Sequence, residues 1–259
     1  MTRKLVIPGV DEKLLIKDAM KEMSDATRRK FLTGGASLGA LVMLSGCDLV
    51  DRRASERILW KVSKFNDAVQ AALFNPHRLA PEFDESKIND PFKFNAFYRE
   101  SKAPVVDAET YQLELGGLIE QTKPWSLNEL YALPQFSQVT RHVCVEGWSQ
   151  IGKWTGARLG DFLKRIGADT TAKYVYFECA EGYYGSIDMP TALHPQTQMT
   201  FRFGKTNEIL PRSYGFPMKI RIPTKLGFKN PKHVTKMFVT NDYPGGYWED
   251  QGYNWFSGS

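Results

Sequence analysis

Of the three cysteines in this 259-residue chain, Cys144 stands where a thiol could do chemistry. It ends an alternating apolar run in Arg141-His142-Val143-Cys144-Val145-Glu146-Gly147-Trp148-Ser149, and its two potentially cationic neighbours, Arg141 and His142, favour a thiolate. A thiolate is the protein ligand that a soft, electron-accepting metal centre takes. The same spacing admits plainer accounts. Free cysteine is among the most buried residue types, and Cys144 could also form a single disulfide with Cys179. A cysteine hydrolase is the weaker chemical alternative. On a strand, His142 and Cys144 share one face about 7 Å apart, beyond a direct hydrogen bond.

Other chemistries are excluded by what is missing. There is no glycine-rich phosphate loop, no Cys-x-x-Cys-His for haem attachment and no cysteine cluster for zinc or iron–sulfur. The four histidines, His77, His142, His194 and His233, have no metal-ligand spacing. Lys219, Lys225, Lys229 and Lys232 crowd into a short stretch with glycine and proline. That pattern favours an anion site over its alternative, a solvated basic face.

Length and composition set the frame that must position these groups. With 42% apolar residues, 259 residues make one large domain or two small ones with a real core, and no apolar run is long enough to span a bilayer. The net charge of +5 divides into +3 over residues 1–46 and +2 over the rest, so the folded part is nearly neutral and nucleic acid is not an expected partner. Apolar spacing predicts an amphipathic helix over 57–74, and prolines make 75–110 irregular. Alternation predicts strands at 111–115, 139–145, 174–179, 199–203, 218–222 and 233–240. Ser126 and Glu129 form a capping box for one short helix, and a second helix runs from Leu159 to Gly167. Helices are few and do not alternate with strands. The expected class is α+β with mixed or antiparallel sheets.

The amino terminus carries an address. Arg28-Arg29 before the small, weakly apolar stretch Gly34 to Ser45 reads as a twin-arginine export signal, with a helix of the mature domain as the alternative. Leu44-Ser45-Gly46-Cys47 resembles a lipobox, which would make Cys47 a lipid anchor, and Met20 or Met23 are further candidate starts. The expected organisation is a leader over 1–46, a tether over 47–56 and a single domain over 57–259. The expected location is periplasmic, on the outer face of the cytoplasmic membrane, with membrane contact by the anchor only.

Arg141 to Ser149, with Trp154, resembles the metal-binding segment of the sulfite oxidase superfamily, and most of all its exported molybdopterin-dependent reductase branch. That branch reads Arg-Cys-Val-Glu-Ala-Trp-Ser; here Gly147 replaces Ala. The resemblance runs from about Phe94 to Ser257 and implies a sulfite-oxidase-type domain with a molybdenum–molybdopterin cofactor, Cys144 binding the metal. Asn95-Ala96-Phe97-Tyr98-Arg99 is similar to the family's Asn-x-Phe-Tyr-Glu and implies pterin contacts through Asn95, Tyr98 and Arg99. Phe177-Glu178-Cys179 is similar to Phe-Glu-Thr and implies a contact at Cys179, a thiol where the family has a hydroxyl. Gly215-Phe216-Pro217-Met218-Lys219 is similar to Gly-Ala-Pro-Val-Arg, with Lys219 where a phosphate-binding Arg is expected. Tyr214 stands where the branch has Asn. Lys225 to Lys232 is similar to Lys-Tyr-Gly-Phe-Lys-Gly-Ile-Lys and implies that Asn230, Pro231 and Lys232 line the pterin phosphate. The tail Gly246-Tyr247-Trp248-Glu249, then Gly252-Tyr253, also fits.

What the resemblance implies is an oxidoreductase that moves an oxygen atom or an electron pair, most simply a reductase of a small or protein-bound S- or N-oxide. Arg141 and His142 then become candidates for orienting a polar or anionic substrate group. With no haem or iron–sulfur motif on the chain, electrons come from a partner, either a membrane cytochrome b or a periplasmic carrier. The alternatives are a sulfite-oxidising dehydrogenase and a cofactor-free binding lipoprotein on the same fold.

Overall fold

The computed structural model describes residues 52–73, 75 and 78–258. The twin-arginine motif, Cys47 and His77 lie outside the described residues. The chain divides into two compact units, Met1–Ala72 and Leu73–Ser259. Of the first, the described part is helix α1 (Arg52–Leu73). It starts inside the stretch read as a tether, and the second unit begins at its last residue, Leu73.

In the second unit two five-stranded sheets carry the structure. The first contains β1 (Gln112–Gly117), β2 (Trp125–Ser126), β5 (Tyr174–Cys179), β6 (Tyr184–Asp188) and β10 (Val234–Thr240), ordered β2-β1-β10-β5-β6. The second contains β3 (Gln135–Val143), β4 (Ser149–Arg158), β7 (Gln198–Phe203) and β8 (Glu208–Ile209) in that order, with β9 (Lys219–Arg221) also pairing β7. All pairings are antiparallel except β1 with β10, so the sheets are mixed as expected. Short helices α2 (Leu127–Tyr131), α3 (Leu159–Arg165) and α4 (Met189–Leu193) fill the connections. The Ser126–Glu129 capping box forms, with each side chain bonding the other residue's backbone amide.

Alternation explains the first sheet. In β5, Val175, Phe177 and Cys179 turn inward while Tyr174, Tyr176 and Glu178 are only partly buried, the pattern of a strand with one covered face. The main core joins β1, β5 and β10 to Phe162 and Leu163 of α3 and to Met199, Phe201 and Ile220 of the second sheet. A satellite cluster of Phe92, Trp154, Phe203 and Leu210, with Tyr214 packed against it, underlies the β3–β4 hairpin. The irregular segment before β1 is laced to that hairpin. Phe83 N donates to Val139 O and Asn89 N to Ile151 O, both at 2.9 Å, while Asn89 Oδ1 accepts from Ile151 N at 2.7 Å. These bonds deliver Asn95 and Tyr98 to the hairpin tip.

Candidate active site

Cys144 lies one residue beyond β3, in the five-residue loop that turns into β4. Its amide donates to Trp148 O at 2.9 Å, and Gly147 N donates back to Cys144 O at 3.2 Å. The loop therefore holds the thiol at a fixed place on the wall of a cleft of about 150 Å³. The same cleft is lined by Asn95, Tyr98, Asn230, Pro231 and Lys232, so the structure brings together six of the residues singled out from sequence. Both Cys144 and Cys179 are free thiols, and no disulfide joins them.

Five of the singled-out groups do not line the cleft. Arg141 is exposed and lies over the Phe83 ring at 5.2 Å; its carbonyl, rather than its guanidinium, is engaged inward. Arg99 is exposed, just before a 3₁₀ turn at Glu100–Lys102. Cys179 belongs to the apolar core, where burial pushes its thiol well up. His142 and Lys219 are completely or nearly completely buried behind the cleft wall.

The charge expected around Cys144 is also absent. Burial, followed by the positive charges of Arg221, Lys219 and Lys232, holds His142 well below the usual imidazole range, so it is neutral. With Arg141 turned outward, neither neighbour supplies the cation that would favour a thiolate. Burial instead pushes the Cys144 thiol up, while backbone amides of Glu146 and Val145 pull the other way. The sequence expectation failed because alternation along β3 sends Arg141 and His142 to opposite faces, one into solvent and one into the core.

Behind the cleft stands a buried cationic cluster. Lys219 and Arg221 lie over the Trp154 ring at 5.4 and 5.3 Å. Lys232 Nζ donates to Asn95 O at 2.7 Å and to Ser213 O at 2.8 Å, and it sits 4.5 Å from the Phe94 ring centre. Gly215 separates the two lysines. Its φ is +118°, and a β-carbon there would meet the Cβ atoms of Lys232 and Lys219 at 3.0 and 3.2 Å. Burial lowers all three cations, Lys232 to about 7. No carboxylate forms a salt bridge with them among the described residues. By contrast Lys225 faces Asp188 at 3.7 Å, and Lys229 is ion-paired with Glu249. The lysine crowding seen in sequence thus splits, two members neutralised by carboxylates and two with no salt bridge among the described residues.

Several anchors fix the cleft wall. Arg221 Nη2 donates to Arg141 O at 2.7 Å and Thr140 Oγ1 at 3.2 Å, while Nη1 donates to Asn230 Oδ1 at 3.0 Å and Ile222 O at 3.2 Å. One guanidinium ties the cysteine-bearing strand to the Asn230 loop. Asn230 Oδ1 also accepts from Ile222 N, and its Nδ2 donates to Leu226 O, so its amide is spent within the protein. His233, at a φ of +49°, places Nδ1 against Phe216 O, which makes Nε2 the acceptor for the Tyr98 hydroxyl at 3.1 Å. Gly227 packs against His142, where a β-carbon would fall 2.6 Å from Nε2.

Sequence reasoning missed Arg221, Glu181 and the aromatic rim of Phe97, Tyr183, Trp248 and Tyr253. Nothing in the sequence marked the turn between β5 and β6, or said that its Glu181 shares a cleft with Cys144.

The donor set fits a cofactor that brings its own metal ligands and its own negative charge. Among the described residues no three His, Cys, Asp or Glu side chains gather into a metal site, so one thiol alone could not hold a metal. The buried lysines and Arg221, with Arg221 Nε and His142 Nδ1 lacking partners, match an anionic organic carrier.

Residues 100–248 match the family model described as an oxidoreductase molybdopterin binding domain. A protein of Azospira oryzae with the provisional name protein-methionine-sulfoxide reductase subunit YedZ1 is 53% identical over 249 residues, covering 95% of this chain and 94% of its own. The protein-methionine-sulfoxide reductase catalytic subunit MsrP of Xanthomonas axonopodis pv. citri is 31% identical over 190 residues, 64% of this chain and 58% of that one. Among solved structures, the sulfane dehydrogenase SoxCD of Paracoccus pantotrophus shares the fold, with a TM-score of 0.50 at 18% identity over 54% of this chain and 40% of its own.

Proposed function

This chain belongs to the oxidoreductase molybdopterin-binding domain family, and from that premise we propose that it is the catalytic subunit of an exported reductase that removes oxygen from sulfoxides, methionine sulfoxide in proteins foremost. The observation that carries the reading is the Cys144 thiol on the cleft wall with Lys232 beside it and Lys219 and Arg221 buried behind. When bound, the molybdenum cofactor supplies the two-electron chemistry. Cys144 would ligate the metal, giving up its proton as it does so, because a metal cation reverses the preference that burial imposes on the empty thiol. Lys232 would hold the cofactor's anionic end, with Lys219 adding positive charge from behind and Pro231 and the Asn230 backbone as the adjoining wall. Tyr98, fixed by His233, and Asn95, fixed by Lys232, would contact the pterin.

The protein's own part is positioning. Arg221 ties the cysteine strand to the Asn230 loop, and Phe97, Tyr183, Trp248 and Tyr253 line the cleft, where they would limit water. Phe97 stacks near Tyr183 at 6.0 Å and Tyr247 at 4.8 Å, and Trp248 lies 5.1 Å from Tyr253. Aromatic faces suit a sulfur-containing side chain. Among the described residues no helix is long and apolar enough to cross a membrane. The proposal includes electron supply by a separate partner, a membrane cytochrome b or a periplasmic carrier, with Arg28-Arg29 as the export signal and Cys47 as the lipid anchor.

The test is metal and pterin analysis of the exported protein beside Cys144→Ala, with sulfoxide reduction and sulfite oxidation both assayed. Stoichiometric molybdenum in wild type, its loss in the variant and turnover of a sulfoxide are expected. Molybdenum-free wild type sinks the cofactor assignment, and sulfite turnover without sulfoxide turnover reverses the direction.

A further inference from the structure

One acidic group on the cleft wall has no part in holding a cofactor. Glu181 sits in the turn between β5 and β6 and lines the same cleft as Cys144 and Tyr98. Its Oε2 is buried with no hydrogen-bond partner. A carboxylate oxygen left bare in that way is far more costly than the neutral, protonated carboxyl. We infer that Glu181 is the proton donor of the cleft, delivering a proton to the substrate oxygen as it leaves; this rests on the sulfoxide reductase reading above.

The neighbours of Glu181 support a held proton at neutral pH. Burial pushes its carboxyl up to about 7, against an opposing pull from its own backbone amide and from Lys232 and Lys219. An anion held by those same lysines would offset their pull and keep the proton on more firmly. Lys232 also lines the cleft, but its ammonium is spent on Asn95 O and Ser213 O, and the neighbouring hydroxyls and carboxyl are no better placed. Burial pushes the Tyr98 hydroxyl up, and that hydroxyl already donates to His233. Tyr183 donates to Phe228 O, and burial pushes it far up as well. Glu146 is exposed and accepts from Trp148 Nε1 at 2.8 Å. Cys179 lies in the core, outside the cleft.

The step balances with a reductant of stated class. The sulfur–oxygen bond of the sulfoxide breaks and sulfur is reduced by two electrons, which come from two one-electron oxidations of a haem-type carrier. The oxygen leaves as water with two protons, one from Glu181 and one from solvent. The resulting Glu181 carboxylate recovers its proton from water at the cleft mouth. A positioned acid with a proton affinity near the working pH is the efficient choice for such a transfer.

The experiment uses exported holoenzyme, wild type beside Glu181→Gln and Glu181→Asp. Infrared difference spectra recorded across a pH series read the carboxyl directly. A protonated-carboxyl band that persists to about pH 7 or somewhat above in wild type, is missing in E181Q and is kept in E181D is expected. In turnover, E181Q should lose roughly 10²- to 10⁴-fold in kcat, with E181D recovering part of it, at unchanged molybdenum content and little change in KM. A wild-type spectrum with no carboxyl titrating near neutrality, or an E181Q enzyme at full kcat, overturns the role of Glu181 alone. Metal-loaded wild type that reduces no sulfoxide overturns the functional reading and this role with it.

Discussion

Replacing Arg221 by lysine should harm the fold more than replacing it by methionine. Arg221 is completely buried and makes four hydrogen bonds, two from each terminal nitrogen: two to β3, one to Asn230 and one to the carbonyl of its own neighbour Ile222. A lysine keeps the buried charge but cannot reproduce the fork, so at least two charge-assisted bonds vanish, each worth about 1.5–3 kcal/mol. The desolvation penalty stays, and the expected loss for Arg221→Lys is about 3 kcal/mol or more. Methionine loses all four bonds but also removes the charge. Asn230 Oδ1 still accepts from Ile222 N and Ile222 O from Lys225 N, so Arg141 O is the acceptor left worst off, at about 1–3 kcal/mol. Relief of burial and of repulsion on Lys219 offsets most of that, leaving Arg221→Met within about 2 kcal/mol of wild type. Urea unfolding of cofactor-free protein, read with the slope against denaturant unchanged, gives both numbers. A buried lysine there would prefer to be neutral, so the gap between the two variants should narrow as pH rises. An Arg221→Lys protein as stable as wild type, or more stable than Arg221→Met, would refute the account of the guanidinium as a geometric tie.

Two further outcomes follow from the same cluster. Burial holds Lys232 at about 7 in place of its ordinary 10.5, so between those values the unfolded chain binds a proton that the folded one does not. The stability of cofactor-free protein should therefore rise with pH across that window, and the rise should be weaker in Lys232→Met; identical slopes in a denaturation series would contradict the burial of this charge. Gly227→Ala puts a β-carbon 2.6 Å from His142 Nε2 and 2.9 Å from Cε1, which forces the ring or the Gly227 loop to shift. A loss of about 1–3 kcal/mol and poorer cofactor retention are expected, and wild-type thermal stability with full molybdenum content would show that the contact yields freely.

The place of Cys144 at a strand end and most of the frame were legible in the sequence because they depend on local properties. Cys144 follows an alternating run, and β3 does end beside it. The Ser126–Glu129 box, α3 and strands β1, β5, β7, β9 and β10 each carry their own periodic or capping signal. Strand β4 left no such signal. Gly152 and Gly156 interrupt it, and Trp154 to Ala157 are buried without alternation because both faces of the strand are covered. Strand β6 was hidden in the same way by its run of buried Gly185, Ser186 and Ile187.

Charge and exposure, in contrast, were decided by tertiary contacts. The sequence supplied four nearby lysines; only packing against Asp188 and Glu249 neutralised two of them, while Lys219 and Lys232 form no salt bridge among the described residues. The sequence placed cationic types beside Cys144; only the fold turned Arg141 to solvent and stripped His142 of its charge. Arg221 and Glu181 carried no local mark at all, since what they do comes from groups far along the chain that meet them in space. A residue's type and its neighbours in sequence fix what it can do chemically. Its protonation and its partners are free-energy differences set by desolvation and by distant dipoles and charges, and those exist only once the chain has closed around it.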